Sequence, residues 1–433
     1  MKKFFVFIFT AMILLSDAKY ILNASEVNGK DDKRACWISF LDIQDYLKDL
    51  TEEEYIQKID YMYDLIIQNN MNTVIFHVRP MADAVYPSEI FPYSEYISSG
   101  RKELGYDPLA IALKRAHEKG LYFEAWINPY RISKNDETTD SYKQTKQYTL
   151  YKDFIIEYTN SSGETCLSFD PSKNETIELL NDGIIEILDR YDVDGIHFDD
   201  YFYVPDMDNE LSVEDKKNNV NRLIEKVYDT IHEKSPGCQF GISPAGNLEN
   251  ARNEGADIDL WLSDEGYIDY IMPQIYWSDK YVTDSGVVDM YRQRCDEWNE
   301  LNHIDIPMYA GLALYRVNES SSNDMGWSEK DNNLALQYEY AYQNGYDGFA
   351  IFRYAWLENT DSVNELCNLN TFLDTLPQNA DFWYIREDIT ATDTDAGENS
   401  QTVENENDNA LSEEMIIKIV YDTIVEVFGI LIQ

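Results

Sequence analysis

Between Arg34 and Leu376 the chain alternates eight strand-like runs with helix-like segments, and this alternation limits the fold more than any other feature. The runs cover residues 35–40, 72–80, 122–131, 195–203, 239–246, 270–277, 307–316 and 348–357. Between them, residues 53–68, 108–119, 175–191, 218–234, 288–299 and 332–344 carry apolar side chains recurring every three or four positions, the period of an amphipathic helix. Parallel strands need a crossover to return the chain to the same end of the sheet, and a helix is the usual one. An unbroken succession of such units therefore predicts an α/β fold, a closed (β/α)8 TIM barrel over residues 34–376. An open doubly wound sheet is the main alternative, but no Gly-x-Gly-x-x-Gly follows the first run to support a dinucleotide site.

The flanks read differently. Lys2 and Lys3 precede an apolar run from Phe4 to Leu15, and Ser16-Asp17-Ala18 supplies small residues at the spacing a signal peptidase reads. Residues 1–18 are thus expected to be a signal peptide, making the protein secreted or attached to a bacterial cell surface; an uncleaved anchor is the other reading. Residues 385–411 are rich in Asp, Glu, Asn, Thr and Ser, the composition of a disordered acidic linker. Residues 412–433 are expected to form an apolar helix on which Lys418, Asp422 and Glu426, at four-residue spacing, make one charged stripe. Such a helix suits a membrane surface, self-association or a simple chain end better than a membrane span.

A formal net charge of −45 excludes nucleic acid as partner, because phosphate binding needs a basic surface. The five cysteines (Cys36, Cys166, Cys238, Cys295 and Cys367) have neither Cys-x-x-Cys nor ligand spacing, so they read as buried thiols rather than as a disulfide framework or zinc site. No cofactor or metal is expected. A metal-dependent polysaccharide deacetylase is disfavoured, since the sequence has five histidines and no two stand at ligand spacing on one segment.

In such a barrel the working groups stand at the C-terminal ends of the strands. Here those ends are chemically rich. The second run ends His77-Val-Arg79 and leads to Asp83; the third ends Glu124-Ala-Trp-Ile-Asn128-Pro-Tyr-Arg131. The fourth is Asp194-Gly-Ile-His197-Phe-Asp199-Asp200-Tyr201, the sixth ends Gln274-Ile-Tyr276-Trp277, the seventh Tyr315-Arg316 and the eighth Arg353-Tyr354. Aromatic faces for sugar rings beside amides and arginines for hydroxyls make a carbohydrate cleft, and a polysaccharide the expected partner. Any one of these aromatics taken singly is more often core than platform.

Trp126-Ile-Asn-Pro-Tyr-Arg131, Asp194-Gly-Ile-His-Phe-Asp-Asp-Tyr201, Gly241-Ile-Ser-Pro244 and Asp269-Tyr-Ile-Met-Pro-Gln-Ile-Tyr-Trp277 together resemble the glycosyl-hydrolase-like 10 family of bacterial secreted and lipoprotein hydrolases. The resemblance covers about residues 34–360. It implies a TIM barrel acting on a polysaccharide, with bacterial cell-wall glycan favoured. The chain departs from the lipoprotein members in lacking a lipid-attachment cysteine. The spacing Asp194-Gly-x-x-x-Asp199 is also similar to the fourth-strand pattern of α-amylase-type enzymes, whose last Asp is the nucleophile. Against the chitinase pattern, His197 replaces an Asp and Tyr201 replaces the acid Glu.

Glycoside hydrolysis needs two carboxyl groups, about 5–5.5 Å apart for retention or about 6.5–9.5 Å for inversion. Neighbouring strand residues face opposite ways, so a regular strand lets only one of Asp199 and Asp200 line the barrel. Alternation groups His197, Asp199 and Tyr201, which makes Asp199 the expected central carboxylate and Asp200 its supporter. The second carboxyl is expected from Glu124, then Asp83, then Asp257. Asp264, Glu265 and Asp269 should lie at the opposite, stability-related end. Substrate contacts are expected from Arg79, Asp83, Asn128, Arg131, His197, Tyr201, Gln274, Tyr276, Trp277, Arg316 and Tyr354, with Arg79 and Arg131 meeting lactyl carboxylates on a peptide-free strand. A barrel that binds carbohydrate without cleaving it is the alternative of a different class.

Overall fold

The computed structural model describes residues 32–204, 207, 211–321 and 323–376. The expected signal peptide, acidic linker and terminal helix lie outside them. Eight parallel strands form one sheet: β1 (Lys33–Ile38), β2 (Thr73–Arg79), β3 (Tyr122–Ile127), β4 (Gly195–Phe198), β5 (Gln239–Ile242), β6 (Tyr270–Ile271), β7 (Tyr309–Ala313) and β8 (Gly348–Phe352). Their order is β7-β8-β1-β2-β3-β4-β5-β6, and parallel bridges Ile271 to Met308 and Gln274 to Gly311 join the two edges. The expected barrel is formed. β1 starts two residues before its sequence run and is as long, and each of the other seven strands is shorter than its run because the C-terminal part leaves the sheet as loop.

The strands are apolar on both faces, as parallel strands covered by helices must be. On β1, Cys36 and Ile38 face the helices while Ala35 and Trp37 fill the interior with Ile75, Trp126, Tyr270, Met272, Tyr309 and Ala350. Gly241 makes room for this filling, since a Cβ there would lie 2.0 Å from the Tyr270 ring. The six expected helices are present, and each begins at a readable cap where one exists. Thr51 and Glu54 form a capping box at the start of Glu52–Gln68, and Asp107 caps Pro108–Glu118. Several elements escape the periodicity. The β5 to β6 connection holds only the short helices Leu248–Asn253 and Ile258–Trp261, a further helix follows β8 at Val363–Leu373, and an antiparallel hairpin (Ile155–Thr159 with Thr165–Phe169) is inserted after β3.

The closed end of the barrel is pinned in a four-fold pattern. The residue just before each even strand accepts a backbone N–H at the start of the preceding odd strand: Asn72 from Arg34 (2.9 Å), Asp194 from Phe123 (2.7 Å), Asp269 from Phe240 (2.6 Å) and Asp347 from Met308 (3.0 Å). His117 and His232 add second contacts to Asp194 (2.8 Å) and Asp269 (3.1 Å). Asp194 and Asp269 therefore hold strand starts together, away from the open end, as does the placement expected for Asp269.

Candidate active site

At the open end, β4 stops at Phe198 and the next two residues turn out of the sheet. Both carboxyls consequently open on one cavity of about 650 Å³, in place of the one-in, one-out arrangement of a continuing strand. The register sets Trp126 beside His197, so the next inward positions, Asn128 and Asp199, meet above them. Trp126 Nε1 donates to Asp199 Oδ2 at 3.1 Å, and Asn128 Nδ2 donates to Oδ1 and Oδ2 at 3.0 and 3.2 Å. The amide of Tyr201 adds a fourth contact at 3.3 Å. These donors are themselves fixed. Asn128 Oδ1 is occupied by the Arg131 N–H (3.0 Å), which turns Nδ2 toward Asp199, and the Trp126 indole lies flat on the His77 ring with centroids 3.6 Å apart.

Burial lifts the Asp199 carboxyl to about 7, against the opposing pull of Arg131, and the adjacent Asp200 charge pushes it the same way. Asp200 is raised too, again chiefly by burial, while a hydrogen bond from Gln274 lowers it. Each of these neighbouring carboxyls makes the other harder to ionise, so they titrate as a pair. Glu254, raised to about 8 by burial and then by Asp200, is a further acid beside the pair, and it does not line the cavity.

Around this floor stand rings and cations. Trp37, Tyr276, Tyr315 and Phe352 form one wall, with Phe352 centroids 6.1 Å from Trp37, 6.1 Å from Tyr276 and 5.9 Å from Tyr315. Opposite, the Arg131 guanidinium lies 4.1 Å from the Tyr201 ring centroid, and Lys134 lies 4.9 Å from that of Phe40. The inserted hairpin supplies Tyr158, Asn160 and Cys166 to the outer rim.

Of the expected site residues, Asp199, Asp200, Asn128, Arg131, Tyr201, Gln274 and Tyr276 come together here, and His197 lies directly beneath. Others do not. Glu124 faces the interior but one layer lower, bonded to Lys33 Nζ (2.5 Å) and the Tyr270 hydroxyl (2.6 Å), with no opening to the cavity. Arg79 faces outward, because a bulge after His77 pairs it with the outward Ile127; its guanidinium bonds Pro129 O (3.1 Å) and lies over Phe91 (4.4 Å). Asp83 organises its own loop through Met81 N (3.2 Å) and Arg101 (3.4 Å). Asp257 pairs with Lys217 (3.0 Å). Trp277 packs beneath Arg294 (5.6 Å), Arg316 is held by Tyr276 O and Asp324 (2.6 and 2.8 Å), and the buried Tyr354 donates to Glu358 (2.9 Å).

The sequence reading missed Trp37, Phe40, Lys134, Ser243 and Phe352 as cavity residues, and named Tyr315 only as a strand-end aromatic. Ser243 was within reach, since it shares the inward face of β5 with Gly241 in the Gly241-Ile-Ser-Pro244 motif. Among the described residues, no group of three or more His, Cys, Asp or Glu side chains is placed to hold a metal ion. No helix among them is long and apolar enough to cross a membrane.

Comparison with known proteins agrees with this architecture. The model of the family described as glycosyl hydrolase-like 10 matches residues 32–213 and 204–329. Glycosyl hydrolase YngK of Bacillus subtilis is 32% identical over 343 residues, 70% of this chain, which spans 65% of that relative's length. Glycosyl hydrolase DigH of Escherichia coli K12 is 31% identical over 316 residues, 64% of this chain and 69% of the relative. The catalytic domain of β-amylase from Paenibacillus polymyxa superposes with a TM-score of 0.53 at 9% identity, over 79% of this chain and 98% of that one, a likeness of fold alone.

Proposed function

Because this chain belongs to the glycosyl hydrolase-like 10 family, we propose that it hydrolyses O-glycosidic bonds, and that its substrate is bacterial cell-wall glycan. The observation that carries the reading is the Asp199–Asp200 pair, two adjacent carboxyls opening on one aromatic-walled cavity, both raised above their ordinary range chiefly by burial. Asp199 takes N–H donors from Trp126, Asn128 and Tyr201, so it holds the negative charge and faces the anomeric carbon as positive charge develops there. Asp200 gives its proton to the departing glycosidic oxygen and regains one when water adds.

The cell-wall assignment is supported by cations. In a chain of net charge −45, Arg131 and Lys134 stand together in the cavity wall beside a carboxylate pair, where an anionic substituent of the ligand would be met. A peptide-free cell-wall strand carries such groups as lactyl carboxylates. This substrate lies outside the cytoplasmic membrane, so the reading includes export by residues 1–18 and attachment to the membrane surface, or self-association, by residues 412–433. The test is reducing-end release from purified peptide-free strands. Wild type is expected to release ends and Asp199→Asn to bind without release; a wild type that also binds without release is a carbohydrate-binding barrel, and the enzyme reading fails.

A further inference from the structure

Beneath the cavity a line of hydrogen bonds runs down the barrel axis: Ser243 Oγ to His197 Nε2 (2.9 Å), His197 Nδ1 to the Tyr270 hydroxyl (2.8 Å), Tyr270 to Glu124 Oε2 (2.6 Å), and Glu124 Oε1 to Lys33 Nζ (2.5 Å). Only one member, Ser243, reaches the cavity. The direction of every bond in this line follows from its lower end.

Lys33 is a cation with donors only, and its pairing keeps Glu124 ionised; burial pushes that carboxyl up, but Lys33 and the hydrogen bonds leave it below its ordinary range. An ionised carboxylate only accepts, so Tyr270 O–H donates to Glu124. The Tyr270 oxygen must then accept from His197, which places the imidazole proton on Nδ1 and leaves Nε2 a lone pair. A second contact fixes the same tautomer independently: the Trp37 indole N–H, which can only donate, points at Nε2 from 3.3 Å. Burial lowers His197 to about 4, so the ring stays neutral and Nε2 stays bare at neutral pH. The 2.9 Å contact between unprotonated Nε2 and Ser243 Oγ makes the serine the donor, and its one other acceptor among the described residues, Phe198 O at 3.4 Å, is not part of the cavity lining either. Its hydrogen spent downward, Ser243 offers the cavity lone pairs only.

We propose that Ser243 is a specificity residue locked as a hydrogen-bond acceptor, so that the substrate group seated on it must be a donor, a sugar hydroxyl or an acetamido N–H, and never a carboxylate. His197, Tyr270, Glu124 and Lys33 are positioning residues that act through it. The inference rests on the glycoside-hydrolase reading and refines it: donor group at Ser243, anionic group at Arg131.

Two measurements test it. In protein labelled with ¹⁵N in its imidazoles, with only five histidines in the sequence and the His197 signals assigned by their loss in His197→Asn, the proton is expected on Nδ1 from pH 5 to 8. A proton on Nε2 overturns the proposal. The second is an affinity scan in the Asp200→Asn background, which stops turnover. A peptide-free cell-wall tetrasaccharide is altered one group at a time, each hydroxyl to hydrogen or to acceptor-only fluorine, each acetamido N–H to ester oxygen. At one position the acceptor-only replacement should weaken binding by about 5- to 30-fold and gain nothing over hydrogen where both can be made. Adding Ser243→Ala should abolish that cost. A position coupled to Ser243 that tolerates fluorine, or no coupled position at all, overturns the proposal. If the tetrasaccharide does not bind, the glycan reading falls instead, while the imidazole measurement still decides the lock.

Discussion

The Asn128 amide straddles the Asp199 carboxylate, with Nδ2 3.0 Å from one oxygen and 3.2 Å from the other. Hydrogen bonds donated to a carboxylate favour its ionised form, so Asn128 restrains a pKa that burial drives upward. Asn128→Ala should cut kcat by roughly 10²-fold, in line with loss of one preorganised donor. It should also move the acid limb of the kcat/KM profile to higher pH, since the ionised form then becomes harder to reach. Unchanged limbs with a pure KM effect would assign Asn128 to ground-state binding.

Asp199 should make the protein less stable above neutral pH. Its folded-state pKa, about 7, exceeds the ordinary value of 3.8, so between these the folded state binds more protons than the unfolded state and stability falls as pH rises. Asp199→Asn removes the buried charge, and at pH 8 it should be more stable than wild type in chemical denaturation by on the order of 2–4 kcal/mol, with the gap closing toward pH 4. A gap that grows on acidification would show that burial does not raise the Asp199 pKa.

Within one motif, Asp194 and Asp199 should fail in opposite ways. Asp194 accepts from Phe123 N–H (2.7 Å) and contacts His117 (2.8 Å) at the closed end of the barrel. Asp194→Ala leaves that backbone donor unpaired and should cost about 1–3 kcal/mol in chemical denaturation, with kcat unchanged in the folded fraction. Loss of kcat without loss of stability would contradict the pinning role.

The barrel was legible because strands clad on both faces read as apolar runs, and their number needs no knowledge of register. The centre of the cavity was legible because alternation from His197 and Trp126 leads directly to Asp199 and Asn128. What alternation does not encode is depth along the barrel or a change of phase. Glu124 faces inward like Asn128, but four residues earlier on the strand it sits a full layer lower, against Lys33. Arg79 shares parity with His77, but the bulge between them turns it outward. Asp200 was expected to face away, and it reaches the cavity because pairing stops at Phe198. Tyr354 and Arg316 follow strand ends in sequence, yet each sits in a turn of 3-10 helix that points it at neighbouring loops.

That separation changes what the arginines predict. Arg79 and Arg131 both looked like receptors for substrate carboxylates, but only Arg131 lines the cavity; Arg79 is 1% exposed and burial brings it down to about 10. Arg131→Ala should weaken binding of a peptide-free cell-wall strand by roughly 10- to 100-fold, the value of a charge-assisted pair, and weaken binding of a neutral chitin oligomer far less. Raising the salt concentration should narrow the difference. Arg79→Ala should instead lower stability, because it strips donors from Pro129 O and packing from Phe91, and affect both glycans equally in the folded fraction. Equal effects of Arg131→Ala on the charged and neutral glycans, measured by calorimetry, would remove the carboxylate from the substrate assignment and leave a neutral polysaccharide in its place.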